Sequence, residues 1–231
     1  MKVKVVLFDC DGVLIFGNPW PQLHKAMKVS PKQDREWFSK YYEGKITYEQ
    51  WNQKIEEHYR KQKLDRKTFE NVLSLQNFTI NEEAKELIIY IKNKNIPIAI
   101  ISSGIDYYVS RVAQYFRIED WYANAFFNFD SSDYFTKIRY IDSDPDAKVL
   151  AINEICEKFN ILPQESIFIG DSGNDIKAFE YTKRGILYKT RHPKNIEYTW
   201  AAYDAELLKA SWKKIEDLQD VIKIIENENK I

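Results

Sequence analysis

The chain has 231 residues with 34 basic and 35 acidic side chains, so its formal net charge of −1 gives no bulk attraction to nucleic acid or to an acidic membrane. The length suits one core domain with a small insertion. No apolar stretch reaches the roughly 20 residues of a transmembrane helix, and the N-terminus opens directly on a strand pattern, so we expect a cytoplasmic protein. The one basic cluster, residues 189–194, is interpreted as a solvated loop.

The first predicted element is a buried parallel strand that ends in two carboxylates. The apolar run at residues 3–8 contains β-branched side chains, and Asp9, Asp11 and Gly12 follow it. Parallel strands present ligands at their carboxyl ends. Two carboxylates this close repel each other, which indicates either a bound cation or a division of labour between a nucleophile and an acid/base. A strand-end turn is the purely structural alternative.

Residues 15–78 carry helical periodicity and no clear strand, which predicts an inserted all-helical cap. The chain is therefore divided into a catalytic core, residues 1–14 and 79–231, and a cap, residues 15–78. The cap helices are expected at about 21–28, 32–42, 48–61 and 67–75.

Beyond the cap, strands and helices alternate, which predicts an α/β fold with a doubly wound, mostly parallel, Rossmann-like sheet. A capping box from Thr79 to Glu82 is expected to start the first core helix. The buried face of that helix is predicted to carry Ala84, Leu87, Ile88 and Ile91.

The next apolar strand, residues 96–101, ends in Ser102, Ser103 and Gly104. This sequence places a hydroxyl and several backbone N–H groups at the start of a helix, where an anion is favoured. Small polar residues before a helix are more often simple caps. The aromatic segment 122–142 predicts a strand or hairpin with its turn at residues 130–133.

Two further signals follow. A helix starting at Asp146 carries Lys148 in its first turn, where a lysine opposes the helix dipole, although a surface lysine is the commonest interpretation of any single Lys. Another apolar strand, residues 166–170, leads to Asp171 and Asp175. Beside Asp9 in a parallel sheet, Asp171 would complete an all-oxygen site suited to Mg²⁺. Residues 213–228 predict a closing amphipathic helix.

Four segments in this order resemble motifs I to IV of the haloacid dehalogenase superfamily. They are the aspartate pair with its following glycine, the Ser-Ser-Gly turn, Lys148, and the Gly-Asp-Ser-Gly-Asn-Asp run at residues 170–175. The resemblance covers essentially the whole chain. It is closest to the phosphoserine-phosphatase-like branch, whose members carry a small helical cap of the C1 type between motifs I and II.

The resemblance implies a Mg²⁺-dependent phosphatase, a monomer or homodimer, that acts on a small phosphorylated metabolite. By the same resemblance, Asp9 is the nucleophile and Asp11 the general acid/base. Ser102 and Lys148 hold the phosphoryl oxygens. The implied Mg²⁺ ligands are Asp9, Asp171 and the backbone carbonyl of Asp11, with Asp175 in support.

The implied substrate-binding residues are Ser103 and Gly104 of motif II, Asn174 near the phosphate, and Asn18 in the cap. Phosphoserine phosphatases keep a Glu and an Arg for the amino-acid head group, and here these positions are Asn18 and Ile55. Glu36, Arg35 or Arg60 could replace the missing partners. Most cap aromatics at helical spacing are expected to form the core of the small bundle, and a lone His24 is more often structural than catalytic.

Four alternatives stay open or are weighed at this stage. Phosphoserine phosphatase proper and a phosphomutase or phosphotransferase share all four motifs. A catalytically silent phosphate-binding protein on the same fold could lose Asp9 or Asp11 freely, yet both are present. A receiver-type signalling domain also uses Mg²⁺, an aspartate and a lysine, but the length of this chain disfavours it.

Overall fold

The computed structural model describes residues 1–190 and 204–230, so residues 191–194 of the basic cluster lie outside it. The central sheet has six parallel strands, which are β1 (Val5–Phe8), β4 (Ile98–Ile101), β5 (Asp120–Tyr122), β8 (Ser166–Gly170), β9 (Gly185–Tyr188) and β10 (Lys213–Ile215). Their order across the sheet is β10-β9-β8-β1-β4-β5. Two antiparallel pairs accompany it, β2 (Ile15–Phe16) with β3 (Thr79–Ile80) and β6 (Ala125–Phe129) with β7 (Phe135–Tyr140).

Among the described residues, four α-helices lie in the cap segment and six in the core. The cap helices are α1 (Pro19–Ala26), α2 (Pro31–Tyr42), α3 (Tyr48–Lys61) and α4 (Arg66–Val72). The described core helices are α5 (Glu82–Asn93), α6 (Asp106–Phe116), α7 (Asp144–Phe159), α8 (Ile176–Thr182), α9 (Asp204–Ala210) and α10 (Gln219–Asn229).

Helices cover both faces of the central sheet, which confirms the predicted doubly wound α/β fold. Successive side chains of a strand point to opposite faces, and β1 follows this rule. Val6 and Phe8 pack into a cluster with apolar residues of α5, α6 and α10, whereas Val5 and Leu7 pack with those of α7, α8 and α9. The register places Phe8 beside Ile100 and Ile169, so the ends of β1, β4 and β8 meet at one edge.

The cap segment differs from the prediction at its two ends. The strand β2 lies within residues 15–78, where no strand was expected, and it pairs with β3. Thr79 is therefore a strand residue and the predicted capping box is wrong; Asn81 caps α5 by accepting from the Glu83 N–H at 3.1 Å. The buried face of α5 is confirmed. The division into core and cap stays a prediction, and the pairing of the two connecting segments is consistent with it.

The hairpin of β6 and β7 is confirmed, and it packs against the cap. The rings of Tyr59 in α3 and Phe135 in β7 lie 5.9 Å apart. The Glu56 carboxylate accepts from the Ile138 N–H at 2.8 Å. The hairpin therefore joins the core chain to the cap helices.

Two core predictions need correction at element boundaries. Residues 213–215 are strand β10 and not the start of a helix, because they pair with β9. Local periodicity does not reveal such a pairing. The helix α7 begins at Asp144 and not at Asp146, so Lys148 lies beyond its first turn and the argument from the helix dipole does not hold. The Ser102-Ser103-Gly104 segment is a loop that precedes α6.

Candidate active site

The site is built on the ends of β1 and β8. The Asp9 N–H donates to the Ile169 carbonyl at 2.8 Å, which extends the ladder one residue beyond β1. Asp9 is only 4% exposed, and its Oδ1 accepts from the Cys10 N–H at 2.8 Å. Gly12 has a φ of +80°, and a Cβ there would lie 2.1 Å from Asp171 Oδ2. The chain can turn this close to Asp171 only with a glycine at that position.

Motif IV folds around the carboxylate of Asp175. Asp175 Oδ2 accepts from the N–H groups of Asp171 at 2.9 Å and of Ser172 at 3.0 Å. A Cβ on Gly170 would lie 2.4 Å from Asp175 Cγ. The buried Asp175 therefore fixes the loop that carries Asp171, in addition to any role toward a metal.

Lys148 joins the two aspartate-bearing segments. Its ammonium lies 2.5 Å from Asp175 Oδ1 and 3.1 Å from Asp9 Oδ2, and it donates to Asn174 Oδ1 at 3.1 Å. Lys148 is 1% exposed. Burial alone would lower its pKa, but the charges of Asp175 and Asp9 raise the pKa above its ordinary value. The lysine is therefore charged at neutral pH and is a buried partner of the site, which excludes the surface interpretation.

The motif II loop closes the site beside Asn174. The Ser102 N–H donates to the Tyr122 carbonyl at 3.0 Å, and Ser102 Oγ accepts from the Gly104 N–H at 2.9 Å. The Ser103 hydroxyl accepts from Asn174 Nδ2 at 3.4 Å and donates to the Asp144 carbonyl at the same distance. Motifs II, III and IV are thus in direct contact through Asn174, as the four-motif prediction requires.

Carboxylates dominate the charge of the site. Oxygens of Asp9, Asp171 and Asp175 all lie within 4.8 Å of one another. Burial raises the pKa of Asp9 to about 7, with Lys148 opposing this shift and Asp175 adding to it. Burial and the charge of Asp9 raise the pKa of Asp11 and of Asp171. The protein alone does not neutralise this cluster, and an oxygen-binding cation would.

The haloacid dehalogenase-like hydrolase family model matches residues 3–181 of this chain, which include all four motifs. The chain belongs to the haloacid dehalogenase-like hydrolases. It is therefore an enzyme, and the resemblance found in the sequence is confirmed.

Phosphoserine phosphatases are among its relatives in that family. The chain is 26% identical over 187 residues to a phosphoserine phosphatase from Methanocaldococcus jannaschii, covering 78% of this chain and 82% of the relative. Two solved phosphoserine phosphatase structures share its fold at 21% identity. A substrate-bound complex has a TM-score of 0.76, covering 97% of this chain and 99% of the other. A phospho-aspartyl intermediate analogue has a TM-score of 0.72, covering 97% and 100%.

In this hydrolase, the predicted cap residue Asn18 has a structural contact as well. Its amide oxygen accepts from the Trp20 N–H at 2.9 Å and so caps α1. Ile55, at the second head-group position, is buried with 2% exposure in the hydrophobic core. Neither position offers a charged side chain, and the substrate-binding role of Asn18 stays a prediction.

One contact at the candidate site was missed by reasoning from the sequence. Lys189, interpreted as part of a solvated loop, is half-buried and donates to the backbone carbonyl of Asp171 at 3.3 Å. That interpretation is therefore wrong for Lys189. Its position directly after the buried strand β9, whose end lies at the same edge of the sheet, was the available signal.

None of the described helices combines the length and the apolar character that spanning a bilayer requires.

Proposed function

We propose that this hydrolase is a Mg²⁺-dependent phosphatase of a small phosphate monoester, with Asp9 as the nucleophile of a two-step reaction. The observation that carries the proposal is the buried contact of Lys148 with Asp9 at 3.1 Å and with Asp175 at 2.5 Å. One fixed cation therefore lies beside the carboxylate that we propose as the nucleophile. The names of the relatives support the same activity.

The two oxygens of Asp9 have different surroundings. Oδ1 accepts from the Cys10 N–H, and Oδ2 faces Lys148. These contacts fix the rotamer of the carboxylate. Its attack on phosphorus would form an aspartyl-phosphate and release the alcohol, and water would then cleave that acyl phosphate. A difficult hydrolysis is thereby divided into two easier steps.

Negative charge that develops on the phosphoryl oxygens needs preorganised donors. Lys148 supplies a full positive charge, and the Ser102 hydroxyl and the loop of Ser103 and Gly104 supply neutral donors. Asp11 follows Asp9 by two residues, and burial favours its protonated form. It would give its proton to the leaving oxygen and afterwards take a proton from the attacking water.

The residues fit a magnesium ion. Asp9, Asp171 and the Asp11 carbonyl would hold it, with Asp175 in support, because hard oxygen donors are those that Mg²⁺ prefers. Oxygens of Asp9, Asp171 and Asp175 lie within 4.8 Å of one another, and burial raises the pKa of Asp9 and of Asp171; these two observations are the structural reason to expect a cation. When bound, Mg²⁺ would neutralise charge on the transferring phosphoryl group.

The cap favours a substrate whose remainder is neutral, such as a sugar, polyol or nucleoside phosphate. Arg35 is exposed, and Arg60 contacts Glu56 at 3.1 Å and the Thr136 carbonyl at 2.8 Å. Glu36 is exposed and contacts Lys40. A buried zwitterion without charged partners is costly. Phosphoserine is therefore expected to be a poor substrate, although the names of the relatives make phosphoserine phosphatase the second candidate.

A panel of phosphate monoesters with Mg²⁺, or with a chelator, tests the proposal. The panel compares wild type, Asp9→Asn and, as a charge-matched control, Asp220→Asn in α10, whose carboxylate is about half exposed. Phosphate release that requires Mg²⁺ and Asp9, but not Asp220, is the expected result. Transfer to a second acceptor and not to water indicates a phosphotransferase or phosphomutase. Binding of phosphate esters without turnover contradicts the proposal, and phosphoserine as the best ester contradicts the substrate preference.

A further inference from the structure

A tyrosine outside the four motifs faces the predicted general acid. Tyr108 lies in the first turn of α6 and is fully buried. Within the described part of the chain, its hydroxyl has no hydrogen-bond partner, and the same holds for Asp11 Oδ1. The Tyr108 hydroxyl and the Asp11 carboxyl group are nevertheless close enough for their charges to interact. Burial, and then the charge of Asp11, raise the pKa of Tyr108 well above its ordinary value.

Two buried polar atoms without a partner among the described residues, the Tyr108 hydroxyl and Asp11 Oδ1, need a physical explanation. Nearly all buried polar side-chain atoms in folded proteins have a partner, because an unpaired one loses its hydration without compensation. A phenol can donate and a carboxylate oxygen can accept, so the Tyr108 hydroxyl is a suitable donor for Asp11 Oδ1. If the hydroxyl had no role, a phenylalanine would suit this position better, because the Tyr108 ring packs 4.6 Å from the ring of Phe78.

The other oxygen of Asp11 faces the phosphate-binding loop. A Cβ built on Gly104 would lie 3.4 Å from Asp11 Oδ2. Oδ1 is thus the buried oxygen and Oδ2 the oxygen on the side of motif II. A donor on Oδ1 would fix the plane of the carboxyl group and direct Oδ2 toward the leaving oxygen.

We propose that Tyr108 is a positioning residue that donates to Asp11 Oδ1 and orients Asp11 for proton transfer to the leaving group. The inference rests on the proposed function, because it takes Asp11 as the general acid. It adds a residue that none of the four motifs contains. Since Tyr108 acts through Asp11, its loss should matter only where the leaving group needs a proton.

The test compares Tyr108→Phe with Tyr107→Phe. Tyr107 is the adjacent tyrosine, half-buried, with its ring 5.1 Å from the Arg111 guanidinium and 5.5 Å from the Phe69 ring. The probes are glycerol 1-phosphate, whose alkoxide needs a proton to leave, and p-nitrophenyl phosphate, whose phenolate leaves without one. Tyr108→Phe should lower kcat/KM about tenfold or more for the first probe and less than about threefold for the second. Tyr107→Phe should change neither by more than about twofold.

A double-mutant cycle separates positioning from a general structural effect. In an Asp11→Asn background, adding Tyr108→Phe should change kcat/KM for glycerol 1-phosphate by less than about twofold, since its target is already absent. Equal losses on both probes, or a full additional loss in the Asp11→Asn background, would overturn the role of Tyr108. A folded wild type no more active than Asp9→Asn on either probe would overturn the proposed function, and this inference with it.

Discussion

Different kinds of interaction stabilise the carboxylate site and the cap. At the site, Lys148 binds Asp9 and Asp175 through short charged contacts, and these three residues are buried. In the cap, a set of rings pack at centroid distances of 5.1–5.7 Å; this cap aromatic cluster comprises Phe38, Tyr41, Tyr48 and Trp51. Charged contacts tolerate little displacement, whereas ring packing tolerates substitution. We therefore expect the core to determine the chemistry and the cap to determine the substrate preference.

A polar contact of Tyr48 links the cap to the helix that carries Lys148. Tyr48 of the cap aromatic cluster donates to Asp144 Oδ1 at 2.6 Å, and the buried Asn124 donates to the same oxygen at 2.9 Å. Asp144 is the first residue of α7, the helix that also carries Lys148. Substitutions on the two sides of this contact should therefore behave differently.

The largest effect is expected for Lys148→Met. Removing a buried cation leaves Asp9 and Asp175 without their partner, so unfolding free energy should fall by about 3–5 kcal/mol and kcat by about 10²–10³ or more. Urea denaturation measures the unfolding free energy, and phosphate release measures kcat. The matched control is Lys177→Met, which removes the contact of Lys177 with Asp146 at 2.6 Å, where both side chains are about half exposed. It should cost no more than about 1 kcal/mol. Similar losses in both variants would remove the contrast between a buried and an exposed lysine.

In the cap, acid sensitivity should come from His24. The residue is 5% exposed, and its Nδ1 lies 2.7 Å from the Tyr59 hydroxyl. Burial, with the nearby His58, lowers its pKa from 6.5 to about 4, so the contact with Asp34 at 3.4 Å is not an ion pair at neutral pH. The unfolded state binds the proton first, so the contribution of His24 is complete above pH 6.5 and is lost as pH falls toward 4.

Between pH 7 and pH 5, this loss should amount to about 2 kcal/mol in wild type. In His24→Gln the corresponding part of the pH dependence should be absent, which chemical denaturation at the two pH values measures. Identical pH dependence in the two proteins would show that His24 is not buried in its neutral form.

A smaller effect is expected at the contact between Tyr48 and Asp144. Tyr48→Phe removes the hydroxyl that contacts Asp144 but keeps the ring in the cap aromatic cluster. Unfolding free energy should fall by about 1–2 kcal/mol, because Asn124 still donates to Asp144. Tyr134→Phe, an exposed tyrosine in the hairpin turn, should stay within about 0.5 kcal/mol of wild type. No difference between the two would mean that the contact does not hold the cap.

The same contrast explains what could be predicted from the sequence. Asp9 and Asp171 follow apolar strands, and parallel strands that end at one edge of a sheet bring such residues together. The buried face of α5 followed equally well from a period of 3.6 residues. Local pattern and final position agree in these cases.

Other features depend on partners that are distant in the chain. Strand β10 has three residues, and only its pairing with β9 distinguishes it from a helix start. The contact of Lys189 with Asp171, and the approach of Tyr108 to Asp11, each join different elements of the fold. A single sequence carries no pattern for such contacts, since each of these side chains is also common on a surface or in a core.

The most direct test of the account is to locate the phosphoryl group during turnover. Acid-quenched wild type, mixed with Mg²⁺ and the ester that the panel shows to be hydrolysed fastest, should carry one labile phosphoryl group on the peptide that contains Asp9, measured by mass spectrometry. Asp9→Asn should carry none. A phosphoryl group on another residue, or undiminished turnover in Asp9→Asn, would contradict the assignment of Asp9 as the nucleophile.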